Sequence, residues 1–531
     1  MSMWHQPIDP VLHSMALSAL AAVVPLAFLL ILMGILRKSA YVSAAWALAV
    51  SLLVAIAVWR MPAGLAVMSA VYGFVYGLWP IMWIVFAALW LYNLAVDTGS
   101  FEMLRHWMTE QASGNMCVQA IVVAFCFGAL LEGTAGFGAP VAIGAFLLVA
   151  MGFTARRAVT VALIGNTVPV AFGALGTPIV ALAGVTGLDL NKLSSMVGRQ
   201  LPFLSLVIPI YLVLVVAGLK GLKEVWPAAL VGGGAFALTQ FGVSNFWGPY
   251  APDILASAAS IAALVVLLHF WRPSVSPGVA DPPENTGPAS SHVVRAWLPW
   301  AVLAAVMVTW SYLKLFDRGS LKLAVPHLHN AIFISLYGKP YAAVYTYQPL
   351  AAGTAALVAV LLSALLLSAR PYQFGMAGLK TVKQLASPAL TVGLIVALAY
   401  LYNYSGMTYT LGAALASLGV LFPFASGFLG WIACFMSGSD TASNLLFGNL
   451  QVAAAHQLGV SPILLAATNS SGAVTGKLIS PQNICIGVTT VGLIGREGEI
   501  LRTTIWHSLL LATLLSALAL TQAHALSWMI P

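Results

Sequence analysis

Two acids stand in segments that otherwise carry almost no charge. Glu132 lies in LLEGTAGFGAP (130–140), and Asp440 lies in MSGSDTASN (436–444). An ionisable group at membrane depth costs about 2.5–3.5 kcal/mol on insertion scales. Function usually explains that cost, as a proton relay, an ion ligand or a counter-ion. The plainer alternative is an acid that caps a helical arm through backbone N–H groups. Two acids at matched places favour function, because two structural accidents would have to coincide. A desolvated carboxyl also suits a proton carrier.

The neighbours of the two acids are small and polar. Gly133 and Thr134 follow the first; Ser439, Thr441, Ser443 and Asn444 surround the second. Backbone N–H groups at the start of a helical arm bind carboxylates and phosphates with no basic side chain. Small residues also serve tight helix packing in membranes. For Gly136 and Gly138 both readings stay open. For Ser439, Thr441, Ser443 and Asn444 binding is favoured, since a polar cluster needs partners in a dry setting.

Each copy then reaches an Asn twelve positions before a Pro. The first is Asn166 in GNTVPVAFGALGTP (165–178), ending in Thr177-Pro178. The second is Asn469 in TNSSGAVTGKLISP (468–481), ending in Ser480-Pro481. Proline removes a backbone donor and clashes with the preceding turn. Asn166, Thr167, Thr177 and Pro178, with Asn469, Ser470, Ser471, Thr475, Ser480 and Pro481, therefore mark broken helices, whose freed polar groups can face a central cavity. A simple kink is the alternative. Lys477 breaks the symmetry, because its counterpart eight residues after Asn166 is Ala174. A salt bridge to Glu132 or Asp440 and a grip on an anionic substrate are both open to it.

The elements that must position these residues are membrane helices. The chain is 61% hydrophobic and 7% charged, against about 25% charged in soluble domains. Many runs reach the roughly 20 apolar residues that span a bilayer as helix. The alternating pattern of a membrane barrel is absent. The expectation is an all-α polytopic membrane protein with about 12 transmembrane helices. Predicted spans are 16–36, 41–59, 72–96, 158–184, 201–219, 225–241, 250–270, 295–315, 349–369, 384–402, 462–490 and 503–525. Two further segments, 115–153 and 424–457, read as re-entrant hairpins with the two acids at their tips. Such tips are tolerable at membrane depth only when packed in protein or lining a cavity.

Lysine and arginine mark cytoplasmic loops. This threading puts fourteen of them on one side and seven on the other, with Lys477 inside the membrane. Both termini then face outward, and the hairpins enter from opposite sides as inverted repeats. The stretch 60–97 is long enough to hide a second crossing. Residues 272–294 are rich in Pro, Ser and Gly and read as a cytoplasmic linker. It separates a membrane half at 1–271 from another at 295–531. Residues 316–348 read as an ordered external loop with a short interfacial helix. Its His327 and His329 read as surface residues, since no third metal ligand is near in sequence.

Net charge is +8, but the basic residues form no run long enough for a nucleic-acid patch. Cys117, Cys126, Cys434 and Cys485 sit in apolar stretches without metal-ligand spacing, so buried thiols without disulfides are expected. The N-terminus lacks the basic start of a cleavable signal peptide. No phosphate-binding GxxxxGK[ST] string is present. Transport would therefore draw on an ion gradient or run passively.

LLEGTAGFGAPVAIGAFLLVAMGF, LIGNTVPVAFGALGTPI, FMSGSDTASNLLFGNLQ and TNSSGAVTGKLISPQNI resemble signature stretches of the lactate permease family, and the resemblance covers nearly the whole chain. It implies proton-coupled uptake of L-lactate across the bacterial cytoplasmic membrane, with D-lactate and glycolate handled by members. On that reading the substrate carboxylate sits between the tips, at amides of Gly133, Thr134, Ser439 and Thr441 with Lys477 nearby. The substrate hydroxyl reaches Asn166, Asn469 or Ser443. Thr177, Asn444 and Ser480 complete the candidate set. Glu132 or Asp440 takes the coupled proton. The expected partners are a small monocarboxylate, protons and lipid, with a homodimer left open; no cofactor or metal is expected. A sodium- or proton-coupled transporter or antiporter of another small anion is the alternative. A membrane-embedded enzyme is disfavoured, because no catalytic motif or large polar domain is present.

Overall fold

The computed structural model describes residues 3–36, 38–111, 114–136, 138–271, 273–274 and 290–531. Among these, eleven helices are long and apolar enough to cross a membrane. Large side chains such as Leu53, Leu238 and Leu365 lie exposed on the outside, where lipid accommodates them and water does not. The chain is an all-α multi-pass membrane protein.

The helical run Leu201–Phe246 holds two of the predicted spans. Its backbone leaves helical geometry at Gly218 (φ 63°, ψ −161°) and Val225 (φ −120°, ψ 15°). The two arms then lie antiparallel. A Cβ placed at Gly233 would sit 3.0 Å from the carbonyl oxygens of Ser205 and Leu206, so glycine permits that close approach.

The stretch 60–97 does not fold back. It forms Ala63–Tyr76, a π-helical turn Gly77–Met82 and Trp83–Asp97, interrupted at Trp79. The helix Pro371–Ser405 runs antiparallel beside all of it. Gly73 packs against Ala397 and Gly77 against Gly393; farther along, Asn93 donates to Thr381 Oγ1 at 2.9 Å. Continuous packing on one partner makes this a single interrupted rod, without a hidden hairpin.

Both tip segments form helical hairpins. The first descends through Met116–Gln119, a π-helical Ala120–Phe127 and Gly128–Thr134, turns, and leaves as Ala139–Ala150. The second descends as Phe422–Ser437 and leaves as Asp440–Leu458. Left-handed glycines make the turns, Gly138 (φ 83°) and Gly438 (φ 70°), a conformation that costs glycine little.

The two proline-bearing segments differ from each other. In the first, Ala155–Gly165 ends at Asn166, a 3-10 turn covers Val168–Phe172, and Ala174, Leu175 and Gly176 all take positive φ. In the second, Pro462–Lys477 is one unbroken helix, and the break falls only at 478–480 before Pro481–Thr490. Asn469, Ser470, Ser471 and Thr475 thus lie inside a helix, contrary to the sequence expectation. The side chains of Asn469, Ser470 and Ser471 have partners on neighbouring elements, so they do not compete with the helix's own backbone bonds; the Thr475 hydroxyl donates back to the Gly472 carbonyl at 2.8 Å.

The loop 316–348 carries strands where a short helix was expected. Leu321–Ala324 pairs with Val344–Tyr347, and Ile332–Ile334 pairs with Lys339–Pro340 and with Trp4–His5 of the N-terminal segment. Gln6 donates from Nε2 to the carbonyls of Asn403 and Tyr404, each at 2.9 Å, capping the end of the Pro371–Ser405 helix. The expected linker, 272–294, lies mostly outside the described residues, and 290–294 already belong to the helix Ser290–Tyr312. Cys117, Cys126 and Cys434 are buried; Cys485 is exposed, because it lies on the outer side of the short helix after Ser480.

Candidate functional site

The hairpin tips meet at a cavity of about 230 Å³. A water claims roughly 30 Å³ of liquid volume, so the space suits a small organic acid. Glu132, Gly136 and Gly138 come from the first hairpin, and Gly438, Ser439, Asp440 and Thr441 from the second. Gly173, Ala174 and Thr177 line it from the first broken segment, and Lys477, Gln482 and Asn483 from the second. The opposite wall is Ser387, Pro388, Thr391, Val392 and Ile395 of the Pro371–Ser405 helix, with Val85 and Met33. One wall is therefore polar and built from both copies; the other is largely apolar.

Glu132 and Lys477 form an ion pair across the two copies, 2.6 Å from Nζ to Oε1, with side chains 4% and 9% exposed. Asn166 donates to the other carboxylate oxygen at 3.1 Å, and a Cβ at Gly173 would lie 2.8 Å from Oε1. Of the two partners open to Lys477 in sequence, the folded chain uses Glu132. Desolvation makes such a pair a weak stabiliser as a unit, but removing one partner leaves a buried charge and costs about 3–5 kcal/mol.

Asp440 has a different setting. It stands in the first turn of its helix, just after the N-cap Ser439, whose hydroxyl accepts from Ala442 N. Ser470 donates to Asp440 Oδ2 at 2.8 Å, and Oδ1 is buried with no protein partner. Behind it runs a polar chain. Asn444 donates to Ser470 Oγ at 3.1 Å and to the Pro178 carbonyl at 3.1 Å. Asn469 donates to Asn444 Oδ1 at 3.0 Å and Ser443 Oγ at 3.4 Å. Gln451 donates to Asn469 Oδ1 at 3.2 Å.

The copies interlock. The second hairpin reaches the first copy's break through Asn444 and Pro178. The first hairpin reaches the second copy's break through Glu132 and Lys477, and a Cβ at Gly138 would lie 2.4 Å from Ile486 Cδ1. Ser480 caps the Pro481–Thr490 helix, and Asn483 ties that cap to the second tip by donating to Ser480 Oγ at 2.7 Å and to the Gly438 carbonyl at 3.4 Å.

Glu132, Thr177, Ser439, Asp440, Thr441 and Lys477 thus line the cavity, and Asn166, Ser443, Asn444, Asn469 and Ser480 stand in the layer that positions them. Gly133 and Thr134 close the incoming helix of the first hairpin and do not open the outgoing one. Their amides lie within that helix, and the Thr134 hydroxyl donates to the Leu130 carbonyl at 2.8 Å. Gly136 and Gly138 occupy the lining instead. The sequence reading did not single out Gln482 and Asn483, although they directly follow the Ser480-Pro481 signal. Gln200, which donates to Thr468 Oγ1 and accepts from Ser471, had no motif to reveal it.

A sequence profile described as L-lactate permease matches residues 18–526. The glycolate permease of Escherichia coli (strain K12) is 42% identical over 99% of this chain and 99% of its own length. The L-lactate permease of Bacillus subtilis (strain 168) is 42% identical over 99% of this chain and 100% of its own length. That of Escherichia coli (strain K12) is 41% identical over the full length of both. A solved transporter chain from Alcanivorax borkumensis superposes with a TM-score of 0.49 at 16% identity, covering 87% of this chain and 88% of that one. Matched along nearly its whole length by the profile and by these relatives, the chain belongs to the L-lactate permease family.

Proposed function

We propose that this protein is a secondary transporter that carries L-lactate and related 2-hydroxymonocarboxylates, D-lactate and glycolate, together with a proton across the bacterial cytoplasmic membrane. The names of its relatives support the substrate class. The observation that carries the coupling is the Glu132–Lys477 pair at the cavity.

A substrate carboxylate entering this space competes with Glu132 for Lys477. If it takes the ammonium, Glu132 is left as a buried carboxylate without a counter-ion, which is costly. Protonating Glu132 removes that cost. The anion and the proton then bind together, and the net charge of the cavity stays unchanged. The amides that open the Asp440–Leu458 helix offer a second grip on the carboxylate at the positive end of a helix dipole. Asp440, with one oxygen unpartnered, is placed to accept the substrate hydroxyl or to share the proton. The apolar wall of Val392, Ile395, Val85 and Met33 suits the methyl group of lactate. Asn166, Ser443, Asn444, Asn469 and Ser480 hold the lining in place; Gly133 and Thr134 act through the turn they precede.

The reading includes two inverted halves, 1–271 and 295–531, whose hairpins turn back within the bilayer, with both termini periplasmic. The pairing of the N-terminal strand with the 316–348 loop supports placing those two on one side. The test is uptake of labelled L-lactate into vesicles under an imposed inward proton gradient. Uptake should collapse with a protonophore and compete with glycolate and D-lactate more than with acetate. Uptake indifferent to the protonophore would refute the coupling.

A further inference from the structure

A third acid is buried beside the site, and nothing above employs it. Asp253 stands in the first turn of the helix Pro252–Phe270 and is 1% exposed. Its Oδ1 accepts from Gln240 Nε2 at 3.2 Å. Gln240 in turn accepts from Ser205 Oγ at 2.7 Å. Its Oδ2 is buried with no protein partner. It touches the first tip directly: a Cβ at Gly133 would lie 2.9 Å from Asp253 Cβ. Gly133 directly follows Glu132, so glycine is what allows the two acids' elements to meet.

No ion pair reaches Asp253 among the described residues. The cation at this tip, Lys477, is taken by Glu132, and Arg295 of the neighbouring helix Ser290–Tyr312 donates to the Leu367 carbonyl. The incoming helix of the first hairpin brings Glu132, a like charge. The π-helical Ala120–Phe127 brings Cys126, which meets Ser260 farther along. The charged residues of the run Leu201–Phe246, Lys220, Lys223 and Glu224, lie about 24 Å or more along the helix from Gln240. Tyr250, just before Asp253, packs on the ring of Phe316. The helix N-terminus favours a carboxylate here, but one dipole end offsets less than full burial of an unpaired charge removes. The neutral acid needs no counter-ion, and burying an O–H without a partner costs far less than burying an unpaired charge.

We propose that Asp253 is a proton-binding site behind the first tip, holding its proton on Oδ2 while Glu132 is ionised and paired with Lys477. Loss of that proton yields a carboxylate next to the tip that Glu132 occupies, so the two acids do not both stay ionised. The assignment of this proton to the transport cycle rests on the symport reading above; its presence on Asp253 does not.

The test is an alkaline-minus-neutral infrared difference spectrum of the purified full-length protein in lipid vesicles, without lactate. The wild type should lose a protonated-carboxyl C=O band that shifts in heavy water, and Asp253→Asn should lack that band. A spectrum for Asp253→Asn identical to wild type would overturn the proposal. If that variant fails to assemble, Gln240→Met serves instead. It removes the donor to Oδ1 and should move the same band to higher frequency; an unmoved band would equally overturn the proposal. In transport, Asp253→Asn should lose proton-driven accumulation of labelled lactate while retaining lactate–lactate exchange. Unaltered accumulation would remove Asp253 from the cycle and leave the symport reading untouched.

Discussion

The two copies share a plan and diverge in how they satisfy an acid. The first hairpin gives Glu132 a cation from the other copy and one amide, Asn166. The second gives Asp440 a hydroxyl from its own copy, Ser470, backed by Asn444, Asn469 and Gln451. Glu132 is compensated as a charge, whereas Asp440 is only hydrogen-bonded. The broken segments follow suit. The first is distorted over 166–176 and presents backbone, while the second stays helical up to Lys477 and presents side chains. A two-fold frame can therefore hold an asymmetric site: one copy supplies Glu132 and a distorted backbone, and the other supplies Lys477, Asp440 and the polar contacts.

The largest effect should come from breaking the charge link. Lys477→Met leaves Glu132 buried and unpaired, so it should abolish lactate uptake and lower stability by about 3–5 kcal/mol, read as a drop in Tm. Adding Glu132→Gln should restore most of the Tm without restoring uptake. A double variant no more stable than the single one would contradict the pairing. Next comes Asp440→Asn, which keeps the shape and the Ser470 contact. It should lose accumulation against a gradient but keep exchange of labelled for unlabelled lactate. Full accumulation in that variant would return Asp440 to a structural role.

The glycines sharpen the comparison at smaller cost. In the second copy a methyl at Gly430 would lie 2.0 Å from the Asn469 carbonyl oxygen, whereas at Gly144 of the first hairpin the nearest atom is 3.6 Å away. Gly430→Ala should cost about 1–3 kcal/mol through overpacking, and Gly144→Ala should leave Tm near wild type. Equal shifts would mean that the hairpins pack alike. A smaller loss than that of Gly430→Ala should come from Ser471→Ala. It removes a 2.7 Å bond to Gln200 and should cost about 1 kcal/mol, with uptake retained.

The acids and their tips were legible in the sequence because charge is so scarce in this chain that two carboxyls in glycine- and serine-rich strings stand out. The same contrast marked Lys477, and the run of 201–246 was readable as two spans because Lys220 and Lys223 punctuate it. Other features depended on distant partners. Asn469, Ser470 and Ser471 look like a helix break in one dimension, yet two other segments supply Asn444, Asp440 and Gln200 to satisfy them within a helix. Gly133 and Thr134 looked like the start of an arm, since no local signal fixes which of several small residues makes the turn. Asp253 resembles an ordinary acid at a helix start, and only the approach of Gly133 and the empty side of Oδ2 distinguish it. The strands of the 316–348 loop are two to four residues long, too short to leave a periodic pattern.

The central claim is that lactate and a proton enter together because the anion displaces Glu132 from Lys477. The most direct measurement is the external pH of lightly buffered proteoliposomes when L-lactate is added with no gradient imposed. The account predicts alkalinisation that tracks labelled lactate influx, exceeds that of protein-free vesicles and disappears in Glu132→Gln. Lactate influx through the protein with no accompanying pH rise, or an undiminished rise in Glu132→Gln, would contradict it.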